Sequence, residues 1–460
     1  MTERQARGHS HQPSPAGDGT PGGVGWQLGA RTVAPLDSTG LTEELRRLGA
    51  AAREAAGMAL HATGRAIRLE GLSPAWGEEL RRQVRALGGE AAVGPSAYAG
   101  SAVEREGDDG RPSAEPVAPD AVDVILLGSA AQLEALAERL AAGAADGRAR
   151  SLGAAIGHAL GSAEWRPGVL HLGRHRLDLA RRVAVMGILN VTPDSFYDGG
   201  RHASQEAAIE HGLRLVEEGA DLLDVGGDSA GGRAAPITAG EEIRRVEPVI
   251  RSLARQVPVP IAVDTHRAAT AAAALDAGAT MVNDITGLGD PAMAPTVARG
   301  DAGLAVMHIK GRPKHFPEDF DYRSLLGDVL RFLARRTDRA LEAGVARERL
   351  MIDPGIEFGK LLYQDLELLR RLPELHVLGY PVLVAVSRKD FIGNVLGLPP
   401  EERLEGTAAA VSWAIARGAH LVRVHDVRAM VRVTRMTERL LGVGAGDDSQ
   451  GKLRSDGTAV

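Results

Sequence analysis

The sequence predicts an α/β protein, a (β/α)8 TIM barrel carrying a smaller N-terminal α/β module. Three observations predict it. From Val183 onward an apolar strand-like run, a polar or Gly-rich loop and an amphipathic stretch recur in that order. The unit recurs eight times over about 260 residues, the length that one such barrel takes up. A polar residue stands at or just after the end of every apolar run. Strands alternating with helices make parallel βαβ units. The alternative with the same units is a doubly wound open sheet.

The apolar runs are Ala184–Leu189, Leu222–Val225, Ile261–Val263, Met281–Val282, Leu304–Met307, Leu350–Ile352, Val382–Val386 and Leu421–Val424. Helical patterns at Gln205–Glu218, Glu241–Gln256, Leu325–Ala343 and Thr407–Arg417 lie between them. The barrel therefore spans about 183–441, and 442–460 is Gly-, Asp- and Ser-rich and reads as a disordered tail. Upstream, residues 1–40 are polar and rich in Gly, Pro and His, a second tail without the apolar core of a signal peptide. Residues 41–174 form the module. Leu41–Gly57, Pro74–Leu87 and Ala130–Ala142 read as its helices, Ala66–Glu70 and Val122–Leu127 as strands, the latter fully buried. Glu104–Asp120 is charged and Pro-rich and reads as a loop or linker. The module carries no chemical motif and is expected to pack against the barrel in a structural or regulatory role.

Composition narrows the function. The chain of 460 residues is 44% hydrophobic and 25% charged, an ordinary globular balance. A net charge of −6 argues against broad nucleic-acid binding, which needs a basic face. Cysteine is absent, which excludes disulfides, zinc–thiolate sites and thiol nucleophiles and fits a reducing cytoplasm. No run of about 18 apolar residues appears, so no membrane span is expected.

The strand ends carry the chemistry. They are Asn190, Asp224, Asp264, Asn283 with Asp284, His308, Asp353, Ser387 with Arg388 and Lys389, and Arg423 with His425. In a barrel of this kind all of them lie on the C-terminal face, where active sites are built. One polar strand end is usually a cap or a turn; eight converging on one mouth are not explained that way. Arg388, Lys389, Arg423 and His425 suit a phosphate or pyrophosphate. Asp264, Asn283 and Asp353 suit the donor and acceptor edges of a polar heterocycle. Asn190 offers an oxygen to Mg2+, which takes few protein ligands and relies on substrate phosphates. The residues alone thus point to a phosphorylated heterocycle handled with Mg2+.

The string Met186-Gly187-Ile188-Leu189-Asn190-Val191-Thr192-Pro193-Asp194-Ser195-Phe196 resembles the dihydropteroate synthase family. The resemblance continues through Asp224-Val225-Gly226-Gly227, Val263-Asp264-Thr265, Val282-Asn283-Asp284 and Met307-His308. It ends with Asp353-Pro354-Gly355, Phe358-Gly359-Lys360, Ser387-Arg388-Lys389 and Arg423-Val424-His425-Asp426-Val427. It implies a reaction in folate synthesis. 6-Hydroxymethyl-7,8-dihydropterin pyrophosphate and p-aminobenzoate give 7,8-dihydropteroate and pyrophosphate, with Mg2+ assisting departure of the pyrophosphate. It also implies roles. Asp264, Asn283, Asp353 and Lys389 hold the pterin, and Asp353 and Lys389 also act catalytically by stabilising the methylene cation left when pyrophosphate departs. Asn190, Arg423 and His425 take the pyrophosphate and metal, and Ser387 and Phe358 line the p-aminobenzoate site. Asp224 and Arg388 complete the substrate-binding set, the segment from Val191 to Gly200 closes over the leaving group, and a homodimer forms through barrel helices.

One loop departs from that pattern. The family usually shows Glu-Ser-Thr-Arg-Pro-Gly after Gly226-Gly227, where this chain reads Asp228-Ser229-Ala230-Gly231-Gly232-Arg233. A lost charged hydrogen bond is worth about 1.5–3 kcal/mol, and Arg233, two residues on, is expected to substitute. Glu357 stands where Gly is more usual. These departures keep two alternatives open: a pterin-binding homologue with another acceptor, as in methyltransferases, and a catalytically impaired regulatory homologue.

Overall fold

The computed structural model describes residues 51–53, 64–100, 102–106, 112–116, 118–142, 147–162, 165–191, 201–228, 237–316 and 320–443. Most of the candidate helix Leu41–Gly57, the first tail and nearly all of the second fall outside these residues.

The N-terminal module is a three-stranded antiparallel sheet with helices. Strands β1 (Gly64–Leu72) and β2 (Glu90–Pro95) flank β5 (Val122–Ser129), and helix α1 (Pro74–Ala86) joins β1 to β2. Ser73 caps α1, its hydroxyl accepting from the Trp76 N–H, and a Pro follows at the first helical position. Helices α2 (Ala130–Ala142) and α3 (Gly147–Ser162) cover one face through Leu133, Leu136, Leu140, Leu152 and Ile156. Two expectations change here. Within Glu104–Asp120 the chain is not simply a loop, since β3 (Ala102–Glu106) and β4 (Pro112–Pro116) pair as a hairpin. Charge and proline mislead because a two-stranded ribbon needs no buried side. Val122–Leu127 is not buried throughout. Val124 and Leu126 face the helices, while Ile125 and Leu127 are exposed, the alternation expected of an antiparallel strand with one open face.

A second hairpin, β6 (Val169–Leu172) with β7 (His175–Asp178), leads into the barrel. The barrel strands are β8 (Ala184–Asn190), β9 (Leu222–Gly226), β10 (Ile261–Asp264), β11 (Met281–Asp284), β12 (Gly303–Met307), β13 (Leu350–Asp353), β14 (Leu383–Ala385) and β15 (Leu421–Val424). They run parallel in the order β13-β12-β11-β10-β9-β8-β15-β14. A parallel bridge between Ile352 and Val382, with the Ile352 N–H donating to Pro381 O at 2.9 Å, joins the two ends into a closed barrel. Closure rules out the open sheet. Each strand matches its apolar run to within a residue or two, because strands buried on both faces read as continuous apolar runs.

Side chains alternate across the wall. Met186, Leu222, Ala262, Met281, Ala305, Met351, Leu383 and Leu421 fill the lumen. Val185, Leu189, Leu223, Val225, Val263, Val282, Leu304, Val306, Ile352, Val384 and Val422 meet the outer helices. The β6–β7 hairpin closes the lower end of the lumen by adding Leu170, Leu172 and Leu179 to it. A Cβ at Gly303 would lie 2.2 Å from Leu172 Cδ2, so that strand must start on glycine. Unlike the equally short barrel strands, β6 and β7 mix polar with apolar residues and form no continuous apolar run, so this plug is not legible in the sequence.

The module docks on the outside of the barrel. The Tyr98 hydroxyl donates to Asp328 Oδ1 at 2.9 Å, and Arg331 Nη1 donates to Glu70 Oε2 at 2.9 Å. The Arg331 guanidinium also lies 3.8 Å from the centre of the Tyr98 ring. At a second contact His158 Nε2 is 2.6 Å from Val377 O. Among the described residues no helix is long and apolar enough to cross a membrane.

Because Leu172 is fully buried in the plug, Leu172→Ala should lower unfolding free energy by about 2–5 kcal/mol. Urea denaturation measures it, and a loss under 1 kcal/mol would show that the plug is not part of the barrel core.

Candidate active site

The polar strand ends meet at the upper mouth, as their positions dictate. Arg423, at the third residue of β15, points across the lumen. Its Nε donates to Asp224 Oδ2 at 2.5 Å and its Nη2 to Asp264 Oδ2 at 2.7 Å. Asn283 Nδ2 donates to the same Asp224 oxygen at 3.1 Å. Asp224 is fully buried and Asn283 nearly so. Four strands, β9, β10, β11 and β15, are thereby tied by one network above the apolar layer of the lumen. Asp224 Oδ1 is buried with no hydrogen-bond partner. Burial pushes the Asp264 carboxyl upward, Arg423 draws it back, and the neighbouring Asp224 charge pushes it up again. The Arg423 guanidinium is held in its charged form by the two carboxylates despite burial.

Opposite this network, Asp353 ends β13. Its Oδ1 accepts from the Gly355 N–H at 2.7 Å, and burial raises its carboxyl against the lowering pull of Lys389. Gly355 has φ 66° and runs against β12; a Cβ there would lie 1.9 Å from His308 O. Only glycine allows that approach. Lys389 crowns the same side. Its Nζ donates to Ile356 O at 2.7 Å and sits 5.0 Å from the centre of the Phe358 ring. Burial lowers the Lys389 ammonium, while Glu357, Asp353 and Asp365 favour its charge.

Ser387 and His425 form a pair: Ser387 Oγ accepts from the His425 backbone N–H at 3.1 Å and lies 3.0 Å from Nδ1. Desolvation, then the charge of Arg423, drives His425 down to about 4, so it is neutral near pH 7. Asn190 ends β8 with its residue exposed at the mouth.

Arg388 stands apart from the anion cluster that its neighbours suggest. Its Nε and Nη2 donate to both oxygens of Asp426 at 2.7 Å, and its Nη1 donates to Pro400 O at 2.9 Å and Glu401 O at 3.1 Å. It also carries a φ of 55°, rare for a residue with a side chain. Its fork braces the turn that presents Ser387 and Lys389. Arg233 and most of Val191–Gly200 lie outside the described residues.

Four further residues belong to the site's frame. Lys360 is buried and donates to His308 Nδ1 at 2.9 Å and to Gly355 O at 2.6 Å, which locks the loop after β13 onto β12. Glu357, at φ 72°, accepts from the Phe391 N–H at 2.5 Å and puts a carboxylate beside Lys389. Buried Glu242 accepts from Arg267 Nη1 at 2.6 Å and from the Thr270 hydroxyl at 2.9 Å. The loop motif Phe358-Gly359-Lys360 and the unusual Glu357 were the available signals for two of these; nothing local marks Glu242 or Arg267.

Removing one partner of a buried ion pair strands the other. Arg423→Met should therefore destabilise the fold by about 3–5 kcal/mol, and Arg423→Met with Asp224→Asn together by less than the two single changes added. Chemical denaturation of the four proteins measures this, and strict additivity would show that the fork is not coupled.

Comparisons agree with this geometry. Residues 186–425 match the model of the family described as pterin binding enzymes. The dihydropteroate synthase of Synechocystis sp. is 43% identical over 279 residues, 60% of this chain and 96% of that protein. The dihydropteroate synthase of Bacillus subtilis is 42% identical over 277 residues, 60% of this chain and 95% of that protein. Among solved structures, the Xanthomonas albilineans dihydropteroate synthase in complex with 7,8-dihydropteroate superposes with TM-score 0.55 at 43% identity, covering 60% of this chain and 99% of that one. With more than half of the chain matched by the family model and nearly the whole length of these relatives covered, the chain belongs to the pterin-binding dihydropteroate synthase family.

Proposed function

We propose that the chain is a dihydropteroate synthase, a transferase that joins 6-hydroxymethyl-7,8-dihydropterin pyrophosphate to p-aminobenzoate with release of pyrophosphate. The observation that carries this is the mouth itself. Asp264 and Asp353 end strands β10 and β13, and Asn283 is the last residue but one of β11, on the face where Arg423 and Lys389 supply charge. Carboxylates and an amide match the donor and acceptor edges of a pterin.

The chain's residues then divide the work. Asp264 and Asp353 accept from ring N–H groups, and Asn283 uses both ends of its amide. Lys389, set between Asp353 and the Phe358 ring, fixes the ring from the opposite side. Arg423, aligned by Asp224 and Asp264, presents its charge to the diphosphate. Neutral His425 offers a hydrogen bond without a charge. Ser387 and Phe358 shape the p-aminobenzoate site. The bond from the pterin methylene carbon to diphosphate oxygen breaks first, leaving a methylene cation that the ring, Asp353 and Lys389 stabilise; the amine nitrogen then bonds to that carbon and gives up a proton. No enzyme nucleophile is required.

The residues present also fit Mg2+. Asn190 brings one neutral oxygen to the mouth, and among the described residues no group of three His, Asp or Glu side chains is placed to cage a metal. One protein oxygen with substrate phosphate oxygens is a donor set that Mg2+ accepts. When bound, the ion supplies charge neutralisation to the departing diphosphate. The same reading carries a cytoplasmic location and a homodimer through barrel helices.

The test is to incubate the full chain with the pterin pyrophosphate, p-aminobenzoate and Mg2+, and to measure dihydropteroate by chromatography. Product is expected from wild type, with Lys389→Ala and Asn190→Ala each reduced at least a hundredfold, the scale of losing an electrostatic group that acts in the transition state. No product with pterin still bound by calorimetry would replace the synthase with a pterin-binding homologue that uses another acceptor.

A further inference from the structure

A cavity of about 590 Å3 opens from Asp264 toward the loops after β11 and β12, walled by Asp228, Arg267, Ile309, Lys314 and Phe332. Asp353, Lys389 and Arg423 do not line it, so it flanks the pterin-holding mouth. Its central feature is an ion-pair cluster. Asp228 follows β9, and Lys314 lies on the loop after β12. Lys314 Nζ donates to Asp228 Oδ1 at 2.6 Å, and Arg267 Nη2 donates to Asp228 Oδ2 at 3.2 Å. The Lys314 and Asp228 side chains are each only 10% exposed. Arg267 divides its donors between Asp228 and buried Glu242, while Lys314 reaches Asp228 from the loop after β12.

The backbone makes Lys314 conspicuous. Arg312 and His315 exchange both backbone hydrogen bonds, at 3.1 and 2.9 Å, and enclose Pro313 and Lys314 as the turn. Lys314 has φ 64°. Proline followed by a residue at positive φ is the turn in which glycine is favoured at the second place. A lysine in such a conformation carries backbone strain that glycine would not, and backbone outliers of this kind gather at functional sites.

We propose that Lys314 is a positioning residue for the reaction. Its ammonium holds Asp228 against Arg267, and so fixes the chain that leaves β9 above Asp264, the carboxylate assigned to the pterin edge. The proposal rests on the synthase reading for its substrate. It names a residue that the motif pattern did not single out, on a loop three strands away from the one it controls.

The glycine variant separates this role from a merely structural one. In Lys314→Gly the turn keeps its preferred backbone and only the ammonium is lost. The expected result is a rise of about tenfold in KM for the pterin substrate, the scale of one charge-assisted hydrogen bond, with kcat within about twofold; Tm falls only slightly, because Arg267 stays paired with Asp228 and glycine relieves the positive-φ turn. Lys314→Arg should restore KM. Lys314→Met combined with Asp228→Asn should be no worse than the poorer single variant, because both remove one interaction. A fall in Tm with KM unchanged, or additive effects on KM, would overturn the proposal. If wild type makes no dihydropteroate, the synthase reading fails instead, and calorimetric pterin affinity in the same variants decides on Lys314: a loss in Lys314→Gly supports it and an unchanged affinity overturns it.

Discussion

Two carboxylates, Asp224 and Asp264, are held together at the top of the barrel lumen, where burial disfavours charge. What makes that arrangement stable is the fork of Arg423, which reaches from β15 to Asp224 on β9 and Asp264 on β10. A guanidinium suits the position, since its planar donors address two carboxylates at once and its charge survives burial. The same fork sets the site. It orients the acids at the strand ends and keeps a cation at the mouth. Asp224 Oδ1, buried without a partner, shows that the network is not saturated by the protein alone.

Around that centre the structure spends its unusual backbone. Gly355 at φ 66° lets the loop after β13 lie against β12, and Lys360 pins it there through His308. Arg388, Glu357 and Lys314 hold positive φ although they carry side chains, and each uses its side chain to tie one loop of the mouth to another element. Arg388 binds Asp426, Glu357 caps the Phe391 N–H, and Lys314 binds Asp228. Rigid strands below and tied loops above give a mouth whose polar groups are placed before substrate arrives, which is the condition for electrostatic catalysis.

The module contacts the barrel through a few polar side chains. Tyr98 and Glu70 grip the helix that contains Asp328 and Arg331, between β12 and β13. Phe332, on that helix, packs edge-on against His308 with ring centres 4.9 Å apart. The module therefore buttresses the helix behind the loop that carries Lys314.

Sequence by itself determined the barrel and most of its mouth. Short apolar runs alternating with amphipathic stretches point to strands buried on both sides, and a polar residue closing each run then falls on the C-terminal face, so the placement of Asp264, Asn283, Asp353 and Lys389 was legible without coordinates. The resemblance in motif order carried the substrate. Tertiary structure decided what depends on contacts distant in sequence. The β6–β7 plug forms no continuous apolar run. Arg388 and Arg423 look alike in sequence, yet one braces a turn and the other spans the lumen, because only Arg423 has buried carboxylates opposite. Lys314 and Asp228 lie 86 residues apart, and their meeting follows from barrel closure, which no local pattern encodes.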